Sequence, residues 1–347
     1  MNRLVKTIQV AFTYMGTIVG AGFATGQEIL QFFTRFGYWG ALAIILSTVL
    51  FIWLGAKMML IASTIKAASY EAVNKELFGE QIGHWISMFM LVVLCGVSSV
   101  MLAGAGAIFT EHWNISYQTG LLLTLIACFL VLSKGMNAIM AVNSIVVPFM
   151  LIFTFIIIAD TIRTPGADRW LLLSSDHSPI AAWASPFLYT AFNLSLSQAV
   201  LVPLGAQIAD RKTIIRGAWL GGLGIGFMLL AGHIALSAHM PGITQFAIPM
   251  GGIARGLGST VQWIYMILIF AEIFTTLIAD IYGVALQLQD RISISRTWIV
   301  LAILTICYLV SQVGFGPLLS TLYPLFGAIS IGWLVLLIRK RSSSERS

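Results

Sequence analysis

Apolar runs of membrane length dominate the chain, and its polar residues collect in the short gaps between them. The runs fall at about 8–35, 38–65, 84–110, 117–133, 137–161, 180–208, 214–238, 259–287, 297–313 and 317–338. A helix needs roughly 20 apolar residues to cross a hydrocarbon core about 30 Å thick, so each run predicts one transmembrane helix. The second and third runs are separated by "KAASYEAVNKELFGEQ", which predicts an amphipathic helix along the membrane interface. The first run is too long and too glycine-broken for a signal peptide and has no clean small-residue cleavage site, so it is read as structure.

Composition fixes the class. The 347 residues are 59% hydrophobic and 9% charged, with a mean hydropathy of +0.93. Soluble domains carry roughly 25% charged residues, so no water-facing surface can be assembled here. The expectation is an all-α polytopic membrane protein of ten transmembrane helices. A net charge of +6 raises the question of nucleic acid, and the placement of the charge answers it. With the N-terminus inside, ten spans put fifteen of the 19 Lys and Arg residues on one side and only Arg35, Arg163, Arg169 and Arg255 on the other. That asymmetry is the positive-inside signature, and it predicts both termini on the cytoplasmic side of the plasma membrane. Cys95, Cys128 and Cys307 all fall inside spans, where no disulfide or metal framework follows from them.

The chain also resembles itself. "FTYMGTIVGAG" begins at Phe12 and "FLYTAFNLSLS" at Phe187, and setting Phe12 on Phe187 also sets Tyr14 on Tyr189. Five spans separate the two starts. An odd number reverses the orientation of the second half, which is the arithmetic of an inverted repeat with a binding site at the midplane. The expected division is 1–162 for spans one to five, 163–338 for spans six to ten, and 339–347 for a basic cytoplasmic tail.

Candidate chemistry lies where the runs are interrupted. "GTIVGAGFATGQE", Gly16 to Glu28, sets glycines near the middle of span one, although glycine costs about 1 kcal/mol relative to alanine in a helix interior. Thr25 followed by Glu28 has the spacing of a capping box, the signal of a new helix start. A helix stopped and restarted there offers free carbonyls to a cation and free N–H groups, near Ala21 to Phe23, to an anion. The competing reading is GxxxG packing, from Gly16 with Gly20 and Gly22 with Gly26. Span six carries "FNLSLSQ", with Asn193, Ser195, Ser197 and Gln198 at its centre, and predicts a second break near Ser195. Span eight carries "FAEIFTTLIAD", with Glu272 near the midplane and Thr275 and Thr276 one turn on. An ionisable residue at that depth is a functional candidate by default. Asp280 lies nearer the cytoplasmic end, and His233 reads as a hydrogen-bonded packing residue. No HExxH, paired-cysteine or nucleophile-elbow pattern is present, so neither an enzyme nor an organic cofactor is expected.

These residues resemble a family. "FNLSLS" is similar to the unwound segment "FTLSLG" of LeuT-type symporters, "IVGAGF" to their "AVGLGN", and Glu272-x-x-Thr275-Thr276 to their span-eight element. The whole chain, above all "GTIVGAGFATGQE", looks closest to YkvI-type amino-acid permeases of the amino acid–polyamine–organocation superfamily. The resemblance implies a five-plus-five inverted repeat with helices one and six broken. It implies a sodium site from the carbonyls of Gly16, Val19 and Glu272 and the hydroxyls of Thr275 and Thr276. A solute would sit among Gly20, Ala21, Gly22, Phe23, Ser98, Ser99, Asn193, Ser195 and Ser197. Phe23 stands where the symporters have an asparagine, and Ser98 and Ser99 where they have a tyrosine. Proton-coupled relatives carry a lysine in span five, whereas Lys134 precedes that span here and Asn143 is the polar residue within it. The implied function is sodium-coupled, or alternatively proton-coupled, symport of a small zwitterionic solute such as an amino acid. Spans 1, 2, 6 and 7 would rock against spans 3, 4, 8 and 9. The alternative is a ligand-sensing membrane receptor that keeps the pocket without transport.

Overall fold

Each apolar run forms one helix, except the first, which forms three short ones. The computed structural model describes residues 3–67, 69–132, 137–175, 177–208, 210–289 and 293–339, without the side chains of residues 137–145 and 286. Span one is α1 (Arg3–Ile18), α2 (Ala21–Ala24) and α3 (Gln27–Phe32). Span two is α4 (Tyr38–Ile65), and the connector after it contains α5 (Tyr70–Phe78). Spans three to five are α6 (Glu80–Trp113), α7 (Tyr117–Leu132) and α8 (Asn137–Thr161), with the single turn α9 (Arg169–Leu172) leading to the second half. Spans six and seven are α10 (Pro179–Gln207) and α11 (Arg211–Ala238). After the short α12 (Pro249–Gly256), spans eight to ten are α13 (Ser259–Gln289), α14 (Arg296–Ser311) and α15 (Phe315–Arg339). Lys134, the Asn143 side chain and the tail beyond Arg339 lie outside the described residues.

Both described chain ends share one face. Arg3 pairs with Asp210 at 3.5 Å, the Ser63 hydroxyl donates to the Ile208 carbonyl at 3.0 Å, and Lys57 donates to the Ile338 carbonyl at 2.8 Å. The starts of α1 and α11 therefore meet the ends of α4, α10 and α15.

The helices sort into two packed groups. One contains α1, α4, α10 and α11, and the other contains α6, α7, α13 and α14. α8 bridges α11 and α13, while α15 bridges α10 and α6. With no water to drive association inside a bilayer, close packing of small residues does much of the work. A Cβ at Gly221 would stand 2.9 Å from the Tyr14 ring, so α11 presents bare backbone to α1 there. The Tyr14 hydroxyl then crosses to α4 and donates to the Phe51 carbonyl at 2.8 Å. The connector helix α5 is pinned by Asn74, which is fully buried. Its amide donates to the Ser87 hydroxyl and accepts from the Trp333 indole.

The expected break in span six does not form: α10 runs as helix through Ser195. The physical reason lies in its polar side chains. The Ser195 and Ser197 hydroxyls donate to the Phe192 and Leu194 carbonyls one turn back, and the Asn193 amide donates to the Tyr189 carbonyl. Such back-bonding supplies the partners a serine or asparagine needs without opening the backbone. Span six also has no glycine between Pro179 and Leu204. The two halves of the chain therefore differ where the repeat predicted a pair of breaks.

Candidate functional site

Span one breaks twice. The first break is at Gly20, whose backbone is extended (φ −92°, ψ −173°) and leaves the helical path. The second is at Gly26, whose φ of +84° is left-handed and favours glycine over any residue with a Cβ. Between them, the carbonyls and N–H groups divide into two sets. Among the described residues, no backbone donor reaches the carbonyls of Gly16, Thr17 or Val19. The N–H groups of Ala21, Gly22 and Phe23, opening the four-residue α2, likewise have no backbone acceptor. All of these residues from Val19 to Ala24 except Gly20 are buried, so the free groups stand in the interior and not at a wet surface.

The carbonyls of the second break are instead tied. The Ala24 carbonyl accepts from the Tyr265 hydroxyl of α13 at 3.1 Å, and the Thr25 carbonyl accepts from the Met250 N–H at 2.9 Å. The Gln27 side-chain amide donates to the Phe246 carbonyl at 3.0 Å. The expected capping box is absent. Thr25 donates to the Gly22 carbonyl at 3.0 Å, and the residue at the N-cap of α3 is Gly26, with no side-chain cap.

Glu28, freed from that cap, points back into the break. Its side chain lies against the α-carbon of Gly22, in the space that a Cβ there would occupy. The residue is 3% exposed, and Oε2 has no hydrogen-bond partner. The Tyr189 hydroxyl of α10 faces the carboxyl without completing a hydrogen bond to it. The Phe32, Phe33 and Phe51 rings pack around Tyr189, with centroids 4.9 to 5.9 Å away, and hold it in place.

The other three glycines of span one have different surroundings. A Cβ on Gly16 would come within 2.7 Å of Val147, so Gly16 is a packing position against α8. A Cβ on Gly20 would meet nothing within 4 Å, so the first break borders open space. Gly22 makes room for Glu28.

Span eight reaches this region because α13 packs on α2. Glu272 is 2% exposed, with Oε2 unpaired. The Thr275 hydroxyl lies 3.1 Å from the Glu272 carbonyl and donates to it, which brings two of the expected cation oxygens together; Thr276 is half-buried. In span three, the Ser98 hydroxyl is buried without a partner, whereas Ser99 donates to the Cys95 carbonyl at 2.8 Å. Of the span-six residues, Ser195 turns towards α15, 2.9 Å from the Ser330 hydroxyl, while both side-chain polar atoms of Gln198 are buried and unpaired. His233 sits 3.1 Å from the Thr34 hydroxyl, a packing histidine at the corner between spans one and two. Among the described residues, no three His, Cys, Asp or Glu side chains converge as a metal cluster.

Sequence reasoning missed Glu28, Tyr189 and Tyr265. The signal for Glu28 was present: it is an acid inside an apolar run, as Glu272 is, but its spacing from Thr25 absorbed it into a cap.

No protein-family model matches the sequence. Across 342 residues the chain is 41% identical to the membrane protein YkvI of Bacillus subtilis (strain 168), covering 98% of this chain and 97% of YkvI. It is 25% identical over 324 residues to the protein YyaD of the same organism, covering 93% of this chain and 94% of YyaD. Among solved structures, the inward-facing conformation of Mhp1 aligns with a TM-score of 0.62 at 11% identity, covering 95% of this chain and 75% of Mhp1. The manganese transporter of Eremococcus coleocola aligns with a TM-score of 0.58 at 14% identity, covering 97% of this chain and 78% of that one. Both are LeuT-fold proteins. A broken first helix, two packed groups of helices and a relative identical at two positions in five lead to one assignment: the chain belongs to the YkvI family of membrane proteins and has the LeuT fold.

Proposed function

We propose that the protein is a secondary transporter working by alternating access, coupled to sodium, and that its solute is small and zwitterionic, such as an amino acid. The observation that carries this reading is the first break of span one, where buried carbonyls and N–H groups without backbone partners flank Gly20, on which a Cβ would meet nothing within 4 Å. Buried polar groups without partners are costly in a bilayer, and they persist where water, an ion or a solute completes them. The solute's carboxylate would take the N–H groups of Ala21 to Phe23, and its ammonium the Glu28 carboxyl beside Gly22. Ser98 and Gln198, with their unpaired side-chain atoms, would line the rest of the pocket, along with Asn193.

A sodium ion would take the carbonyls of Gly16, Val19 and Glu272 with the hydroxyls of Thr275 and Thr276, a neutral oxygen set at a helix end that favours positive charge. α1, α4, α10 and α11 pack as one body and α6, α7, α13 and α14 as another, which supports movement of the first body against the second. The termini would face the cytoplasm of the plasma membrane, as the basic residues require.

Thermal unfolding of purified protein against the twenty amino acids, with and without sodium, tests binding, because a ligand that binds only the folded state raises its stability by mass action. Proteoliposome uptake of any amino acid that shifts the midpoint then tests transport. A sodium-dependent shift followed by sodium-driven uptake is the expected result. Binding without uptake would instead make the protein a ligand-sensing receptor, and no shift with any amino acid would remove the substrate class.

A further inference from the structure

Asp280 is the acid of span eight that the proposed site leaves unused. It lies on α13, about two turns beyond Glu272 in the direction of the face that holds both described chain ends. Gln289, the last residue of α13, is still about 13 Å further on, so Asp280 is not a surface acid.

At about 100° per residue, Glu272, Thr276, Asp280, Gly283 and Gln287 share one sector of α13 about 80° wide. Tyr265 lies in the same sector, and its hydroxyl reaches the Ala24 carbonyl of α2, so this is the side that α13 turns to the broken span. Trp263 and Ile267, each about half exposed, project from the opposite side. The partial exposure of Thr276, Asp280, Gly283 and Gln287 is therefore room within the molecule and not contact with lipid. A Cβ on Gly283 would meet nothing within 4 Å. α13 packs on span one at α2, whereas α1 packs on α8, α10 and α11. Open space thus borders this side of α13 from the break towards the chain ends, over about 22 Å from Glu272 to Gln287.

Three oxygens on this side lack partners. Oε2 of Glu272, Oδ2 of Asp280 and Oε1 of Gln287 are each buried without a hydrogen bond. Among the described residues, no ion pair includes Glu272 or Asp280. Acids held at membrane depth without a partner mark ion pathways, and a row of unpaired oxygens suits a cation.

We propose that Asp280 and the Thr276 hydroxyl form a second cation station, which takes sodium on its way between the oxygen set of the proposed site and the face of the chain ends. Thr276 stands one turn from Glu272 and one turn from Asp280, so its hydroxyl serves both stations in turn. An ion leaving the neutral oxygens meets a carboxylate about 6 Å further along the helix. The inference rests on the sodium coupling proposed above, and its test separates the two.

Dicyclohexylcarbodiimide, an apolar reagent that attaches covalently to protonated carboxyls within membranes, reads the station directly. The detergent-purified protein is treated in sodium chloride or in choline chloride, and peptide mass spectrometry scores Glu28, Glu272 and Asp280 separately. Asp280 should be modified in choline and at least tenfold more slowly in sodium, with Glu28 modified alike in both. In proteoliposomes, Asp280→Asn should lower net uptake into a sodium-free lumen at least tenfold. Amino-acid exchange with sodium equal on both sides should stay within twofold of wild type, because exchange does not require sodium to leave. Asp280→Glu should restore net uptake. Asp280 unmodified in choline or modified alike in both salts, Glu28 protected to the same degree, or equal loss of exchange and net uptake would each overturn the proposal. Protection of Asp280 in a protein that takes up no amino acid would keep the station and remove the transport reading. Sodium-driven uptake with Asp280 unprotected would remove the station and keep the transport reading.

Discussion

The Glu28 carboxyl lies against the α-carbon of Gly22, six residues earlier in the same broken span. A continuous helix would point the two residues in different directions. The left-handed turn at Gly26 reverses α3 enough to fold the acid back onto the break. A carboxyl with one unpaired oxygen is thereby set against the residue whose N–H lies among the free donors of α2. That is the charge pattern complementary to a molecule carrying an anion and a cation a few bonds apart.

Gly22→Ala should therefore displace Glu28, and Gly20→Ala should not. The first introduces a Cβ where the Glu28 side chain lies; the second meets nothing within 4 Å on a backbone that any residue can adopt. The expected outcome is full expression and a wild-type apo midpoint for Gly20→Ala, and folded protein with at least tenfold weaker amino-acid binding for Gly22→Ala. Size-exclusion chromatography and thermal-shift titration measure the two effects. Equal behaviour of the two variants would mean that Glu28 has no part in recognition.

Tyr265→Phe removes the donor that satisfies the Ala24 carbonyl at the second break. Both groups are buried, so the carbonyl is left without a partner, at a cost of about 1–3 kcal/mol. Thermal unfolding in detergent should show a lower midpoint while helicity by circular dichroism stays unchanged. A midpoint equal to that of the wild-type protein would show that water replaces the tyrosine.

The spans were legible in the sequence because a bilayer leaves a chain little choice: every backbone polar group must be satisfied within the segment, so long apolar runs become helices. The predicted and observed limits of span two coincide at 38–65, and those of span five at 137–161. The glycines of span one gave the first break for the same reason, since no side chain there supports a continuous helix. Polar side chains were harder to read, because each has a local use and a long-range one. Ser195 suggested a break and instead bonds its own helix; Thr25 and Glu28 suggested a cap and instead bond Gly22 and approach Tyr189. Spacing shows that residues can meet along a helix. It does not show which of two partners a hydroxyl or carboxyl chooses once a distant helix packs beside it.

Glu28→Gln tests the acid itself. The amide keeps the shape and removes the capacity for negative charge, and a buried carboxyl without a partner is costly to ionise. The thermal midpoint without ligand should hold or rise, while the shift produced by amino acids should fall at least tenfold in apparent affinity. Tyr189→Phe should lower affinity less, because its hydroxyl completes no hydrogen bond to Glu28. A lower apo midpoint for Glu28→Gln would assign the carboxyl to folding and not to recognition.

The proposed coupling to sodium can be tested at span eight. The Thr275 hydroxyl and the Glu272 carbonyl already lie within hydrogen-bond distance, and the Glu272 carboxyl beside them is buried with one oxygen unpaired. A sodium ion bound as proposed, with the carbonyls of Gly16 and Val19, would use the carbonyl and the hydroxyls and would not need the carboxyl. A proton would use the carboxyl and would not need the hydroxyls. Thr275→Ala combined with Thr276→Val should therefore raise the sodium concentration for half-maximal uptake at least tenfold, with Glu272→Gln doing less. The measurement is uptake into proteoliposomes, first with a sodium gradient and then with only a pH gradient. Full activity without sodium on either side, lost in Glu272→Gln and kept in the threonine double variant, would transfer the coupling role from the oxygen cluster to the carboxyl.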